Sequence, residues 1–132
     1  MDKINIGFEI TDNFDTQGFR NFIKLLMSDD RYDLFLISTD NNASYITKTG
    51  ENLGLLASNV IICNFTIDKI NTIINNKINI FFDNLQSTII LIDVDTDAEG
   101  ILVNPNLNRY YLKPDYVVVF DRLISEINGK NN

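Results

Sequence analysis

Two kinds of apolar stretch alternate along this chain. Short, nearly unbroken apolar runs read as strands. Longer segments, with apolar positions three or four apart, read as helices. Ile4-Asn5-Ile6-Gly7-Phe8-Glu9-Ile10 is the first strand, followed by the loop Thr11 to Asp15. Asp15 or Thr16 can cap a helix in which Phe19, Phe22, Ile23, Leu26 and Met27 form one face. Tyr32 to Ile37 is a second strand, apolar on both faces as in a parallel sheet. A polar turn, Ser38 to Asn42, leads to a helix through Tyr45, Ile46 and Lys48 to about Leu53, with Gly54 as its stop.

The alternation continues. Val60 to Cys63 is a third strand, and Thr66 or Asp68 starts a helix carrying Ile70, Ile73 and Ile74. Ile78 to Phe82 is a fourth strand, ending at Asp83-Asn84. Residues 85–99 fit two readings: the β-branched content of Leu85 to Val94 suggests a strand, its place after strand four a helix. Ile101 to Val103 is a fifth strand and Asn104 to Lys113 a loop. Tyr116 to Phe120 is a further strand, and Asp121 caps a last helix through Ile127. The pattern predicts one α/β domain over residues 1–128 and a polar tail at 129–132. Its architecture is a three-layer, Rossmann-like, mostly parallel sheet with helices on both faces. In such sheets ligands bind beyond the carboxyl ends of the strands. The residues there are Glu9 and Thr11, Ser38 and Thr39, Cys63 and Asn64, and Asp83 and Asn84.

Composition narrows the chemistry. The 132 residues carry a net charge of −7 and no histidine. Histidine-based acid, base and metal chemistry is therefore excluded, and the acidic balance argues against a duplex nucleic-acid surface. One cysteine, Cys63, permits no intrachain disulfide or CxxC site and fits a reducing compartment, so a soluble, cytoplasmic protein is expected. No apolar stretch reaches the 18 or more residues of a membrane span, and the N-terminus lacks a signal peptide's apolar core. The abundance of Ile, Asn, Lys, Phe and Tyr suggests an A/T-rich coding genome, viral or bacterial.

The ordered set of strand-end motifs resembles the haloacid dehalogenase (HAD) superfamily. FEITDN follows strand one, where that family has Asp-x-Asp; LFLISTD ends strand two; ENLGL ends the next helix; Lys69 opens the helix before strand four; and IFFDN ends that strand. The likeness spans roughly residues 3–104. It implies a nucleophile at Glu9, a proton shuttle at Thr11, phosphoryl-oxygen binding by Ser38, Thr39 and Lys69, and Mg²⁺ held weakly by Glu9, Asp83 and Asn84. Such chemistry rests on positioning and charge neutralisation. The short connections after strands one and three leave no cap domain, and capless relatives act on large substrates.

The sequence departs from that pattern at its centre. Glu9 is one methylene longer than aspartate, which misplaces its carboxylate by about 1 Å, enough to cost about 10²-fold. Thr11 cannot shuttle a proton as a carboxylate does. The expected function is a degenerate phosphatase site that binds a phosphorylated ligand or a macromolecular partner with little or no turnover. The alternatives are an active Mg²⁺-dependent phosphomonoesterase and a pure protein-interaction module.

Plainer readings stand beside these. Glu9 can be a strand-end residue paired with Lys69. Ser38 and Thr39 can cap the next helix. Lys69, like Lys77, can be a surface lysine, and Cys63 a small buried apolar residue. Asp93 to Asp97 imitates a calcium loop, but Ala98 stands at the sixth position, which needs Gly, and Asn104 at the twelfth, which needs Glu; it reads as an acidic turn or helix end. Asn108 to Lys113 mixes basic and aromatic residues, a small contact for single-stranded nucleic acid or a loop packing its tyrosines.

Overall fold

The computed structural model describes residues 3–12 and 15–103. In chain order the elements are β1 (Ile4–Phe8), α1 (Gln17–Met27), β2 (Tyr32–Ser38), α2 (Ala43–Leu53), β3 (Val60–Ile62), α3 (Thr66–Asn75), β4 (Ile80–Asp83), α4 (Gln86–Asp95) and β5 (Glu99–Leu102). A 3₁₀ turn, Ala57–Asn59, precedes β3. The expected loop at 104–113, strand at 116–120, helix through Ile127 and polar tail lie outside the described residues.

All strand pairs are parallel, in the order β3-β2-β1-β4-β5. Successive units first move outward from β1 to β3. The chain then returns through α3 and lays β4 on the free side of β1. This reversal makes a switch point between the carboxyl ends of β1 and β4. Along each strand the side chains alternate between faces. Ile6, Phe8, Leu34, Leu36, Ile80, Phe82 and Ile101 pack under the apolar faces of α1 and α2. Phe35, Ile37 and Phe81 face the other way, against Ile70 and Ile73 of α3 and Ile89 and Ile92 of α4. The result is the expected α/β sandwich of three layers.

Local chemistry explains the element ends. The Thr16 hydroxyl accepts from Phe19 N at the start of α1. Gly54 ends α2 at φ 88°, a left-handed conformation that costs glycine little. Phe8, Phe19, Phe22 and Phe82 form an aromatic cluster under α1, with ring centroids 5.6–6.4 Å apart, the Phe19–Phe22 pair tilted and the others edge-on. On the opposite face Phe81 occupies the space beside Gly7: a Cβ there would lie 2.5 Å from Phe81 Cδ2.

Three boundaries refine the sequence reading. Residues 86–95 are helical, because a parallel β4–β5 pair needs a crossover and β-branched residues can line its buried side. β4 begins at Ile80 and not Ile78, since Lys77 takes φ 53° and the chain enters the sheet only at Asn79, whose N donates to Asn5 O at 2.8 Å. β5 begins earlier than Ile101, at Glu99, with Gly100 giving Ile89 room to approach. None of the described helices is long and apolar enough to cross a membrane.

Candidate functional site

The strand order sets the carboxyl ends of β2, β1 and β4 side by side, bringing Ser38, Glu9 and Asp83 into one row. Across the switch point from α3 comes Lys69, one turn into the helix. Its ammonium lies 2.7 Å from Glu9 Oε1 and 2.8 Å from Asp83 Oδ2. All three side chains are shut from solvent, at 2%, 2% and 0% exposure for Lys69, Glu9 and Asp83. The ammonium also sits 5.5 Å from the centre of the Phe81 ring.

Glu9 Oε1 collects more than the ammonium. Thr39 donates to it twice, from its backbone N at 3.1 Å and from its hydroxyl at 3.3 Å. Three donors thus converge on one oxygen. The other, Glu9 Oε2, is buried without a hydrogen bond. Asp83 is fully used, Oδ2 by Lys69 and Oδ1 by Leu85 N at 3.0 Å. The Ser38 hydroxyl donates to Ile10 O at 3.3 Å and accepts from Asp40 N at 3.0 Å.

The charges do not balance, two carboxylates sharing one ammonium. Burial raises the Glu9 carboxyl above the usual carboxylate value, and the half-share of Lys69 only partly offsets this. Burial alone would depress Lys69, but Asp83 and Glu9 together outweigh it and hold the ammonium above the ordinary lysine range.

The site residues expected from sequence divide. Glu9, Ser38, Thr39, Lys69 and Asp83 come together. Thr11 and Asn84 are half-buried residues just past the ends of β1 and β4. The pairing of Glu9 with Lys69 and the gathering of strand ends are both present. Neither Ser38 nor Thr39 caps α2; Asn42 does, accepting from Tyr45 N at 3.1 Å. Lys69 is buried, unlike the exposed Lys77. Cys63 is the small buried residue of the plainer reading, its sulfur 3.6 Å from the Thr72 hydroxyl. Asp93 and Asp95 form the end of α4, where Asp93 Oδ1 accepts from Gly100 N. The Asn108 to Lys113 stretch lies outside the described residues.

Sequence reasoning did not single out Asp40, and offered Asp15 only as a helix cap, a place that Thr16 takes. Asp40 accepts from Asp12 N and Asn42 N, tying the loop after β1 to the loop after β2. Asp15 takes both arms of Arg20 at 2.6 Å and the Tyr45 hydroxyl, joining the start of α1 to α2. The signal for Asp40 was its place one residue beyond the Ser-Thr pair; Asp15 and Tyr45 are 30 residues apart and carried none.

Mg²⁺ asks for about six oxygens in near-octahedral array, usually including several waters. Here one carboxylate oxygen is unengaged, and an ammonium already lies between the two acids. No group of three or more Cys, Asp or Glu side chains suited to a metal occurs among the described residues. The residues in this arrangement do not fit Mg²⁺, and Lys69 is the cation that they hold. In sequence, the chain matches no family model and no curated protein.

Proposed function

We propose that the chain is a haloacid-dehalogenase-like domain with a degenerate phosphatase site, acting by binding a macromolecular partner with little or no turnover. The observation carrying this reading is the state of Glu9. The residue at the nucleophile position is buried, ion-paired and engaged by three donors on one oxygen. A nucleophile must instead present an accessible lone pair in line with the leaving group, and the one unengaged oxygen, Oε2, is buried. Thr11, at the shuttle position, has no acidic proton to give or regain. The row Ser38–Glu9–Asp83 with Lys69 favours descent from a phosphoryl-transfer site over an unrelated fold.

The test is an aryl-phosphate assay with and without Mg²⁺. The parent is expected to stay far below 1 s⁻¹, the lower end of typical enzymes. Glu9→Asp combined with Thr11→Asp is expected to exceed both the parent and either single variant, because groups acting as a unit are not additive. A parent at about 1 s⁻¹ or faster would establish an active phosphomonoesterase instead. A double variant as inactive as the parent would favour an interaction module that keeps the fold alone.

A further inference from the structure

α4 is apolar on both sides. Thr88, Ile89 and Ile92 pack toward the sheet, while Ile90, Leu91 and Val94 on the opposite side are open to solvent. A helix apolar all round belongs inside a protein or an assembly. Its neighbour α3 adds to the same face. Ile74 of α3 and Asp95 of α4 line one cleft between the helix ends, and Ile67, two turns before Ile74 on the same shoulder, is exposed as well. At the other end of the layer, Phe65 and Leu85 stand at the N-caps of α3 and α4. Neither side chain can bind a helix N–H there, and both are exposed. The opposite layer shows the contrast: α1 and α2 expose no large apolar side chain.

These seven side chains are 41–75% exposed. They leave open roughly 800 Å² of apolar surface, more than the largest patch of a typical monomer and about one partner's share of a standard interface. We propose that the α3/α4 face is the interface of a homodimer, two copies of the chain packed back to back about a two-fold axis. Charge selects this occupant. The chain carries −7, so two copies repel unless the faces they bring together are uncharged. The polar residues on this face, Asn71, Asn75 and Ser87, are uncharged. A basic partner would need acids here instead, and Asp68 of α3 turns its carboxylate back onto Phe65 N at 3.1 Å. A two-fold pairing of one face with itself also closes, leaving no apolar surface for further copies. The inference goes beyond the reading of the strand-end site and does not rest on it.

Sedimentation equilibrium of the full chain from about 1 to 100 µM, a range that brackets micromolar affinity, tests it. At the upper end the parent is expected to show twice the 15.1 kDa mass of one chain. Ile90→Lys with Val94→Lys sets like charges against each other across the axis and is expected to be monomeric throughout, with an unchanged circular dichroism spectrum. Glu51→Lys, at an exposed position of α2, makes the same net change in charge on the other layer and is expected to dimerise like the parent. If the lysine variant does not fold, Ile90→Ser with Val94→Ser serves, and a dissociation constant at least about tenfold weaker than the parent's is expected. A parent monomeric at the upper concentration would overturn the proposal. A melting temperature lowered by the substitutions in such a monomer would show the face covered by the chain itself, and an unchanged one would leave it to a different partner. A variant as dimeric as the parent would also overturn it, by placing the interface elsewhere. Mass is read without substrate or turnover, so this inference and the degenerate-site reading fail separately.

Discussion

Replacing Lys69 by methionine tests the buried triad most directly. The substitution keeps the length and apolar body of the side chain and deletes the charge. Each ammonium–carboxylate contact is worth about 4 kcal/mol at a charge separation of about 4 Å and an effective dielectric near 20. Burying the three charges costs several kcal/mol per ion, so the intact triad contributes little net stability. Methionine removes the attraction and leaves two carboxylates buried without a cation, one of them already short of a donor. The expected loss is about 3–5 kcal/mol, the cost of breaking a buried pair from one side. In a domain of this size that lowers the melting temperature by roughly 10–20 °C. Urea unfolding followed by circular dichroism at pH 7 measures it. Adding Glu9→Gln and Asp83→Asn to the same chain removes the stranded charges and is expected to recover most of the loss. The parent has a pH signature. Its Lys69 lies above the ordinary value of 10.5 when folded, so the stabilisation is complete below that pH and fades as pH rises through the folded value. A Lys69→Met loss under about 1 kcal/mol at pH 7, or a triple variant no more stable than the single, would refute the account.

Two further outcomes follow from the packing. Gly7→Ala drives a Cβ to 2.5 Å from the buried Phe81 ring, which lies against Lys69; about 1–3 kcal/mol of stability should be lost, measured by urea unfolding. Asp15, 12% exposed, is held below its usual value: burial pushes it up, but the bonds from Arg20 and Tyr45 pull it down further. Its contribution, about 2 kcal/mol for charge-assisted bonds, is thus present above about pH 4 and lost as pH falls through the folded value. Asp15→Asn should flatten the acid limb of the stability–pH curve, and an unchanged limb would contradict the pairing.

What the sequence made legible depends on the range of the interaction. Phe19, Phe22, Ile23 and Leu26 repeat at helical spacing and are the residues that α1 buries. Thr16 and Gly54 act on their own neighbours, and both end helices as their chemistry suggests. α4 was ambiguous because Ile89 to Val94 carries no helical stripe, and only the crossover between two parallel strands decides it. The gathering of Glu9, Ser38 and Asp83 was readable, since strand ends in an α/β alternation share one edge. The pairing of Lys69 with Glu9 was one of the readings, but the burial of Lys69 and its second partner, Asp83, were not legible. Nothing near Asp68 or Ile70 says that this lysine is buried, because its partners are 60 residues before it and 14 after it. The Asp15–Arg20–Tyr45 cluster was illegible for the same reason.

The return of the chain to β1 has a consequence for synthesis, which runs from the N-terminus. One side of β1 can pair as soon as Tyr32 to Leu36 has been made, but the other waits for Ile80 to Phe82. During that interval the central strand of the finished sheet is an open edge, and Glu9 is an acid in water with its counter-charge not yet translated. A side chain almost wholly enclosed at the end is thus among the longest exposed on the way. Its solvent is exchanged for Lys69 only when the second half of the chain folds back over the first.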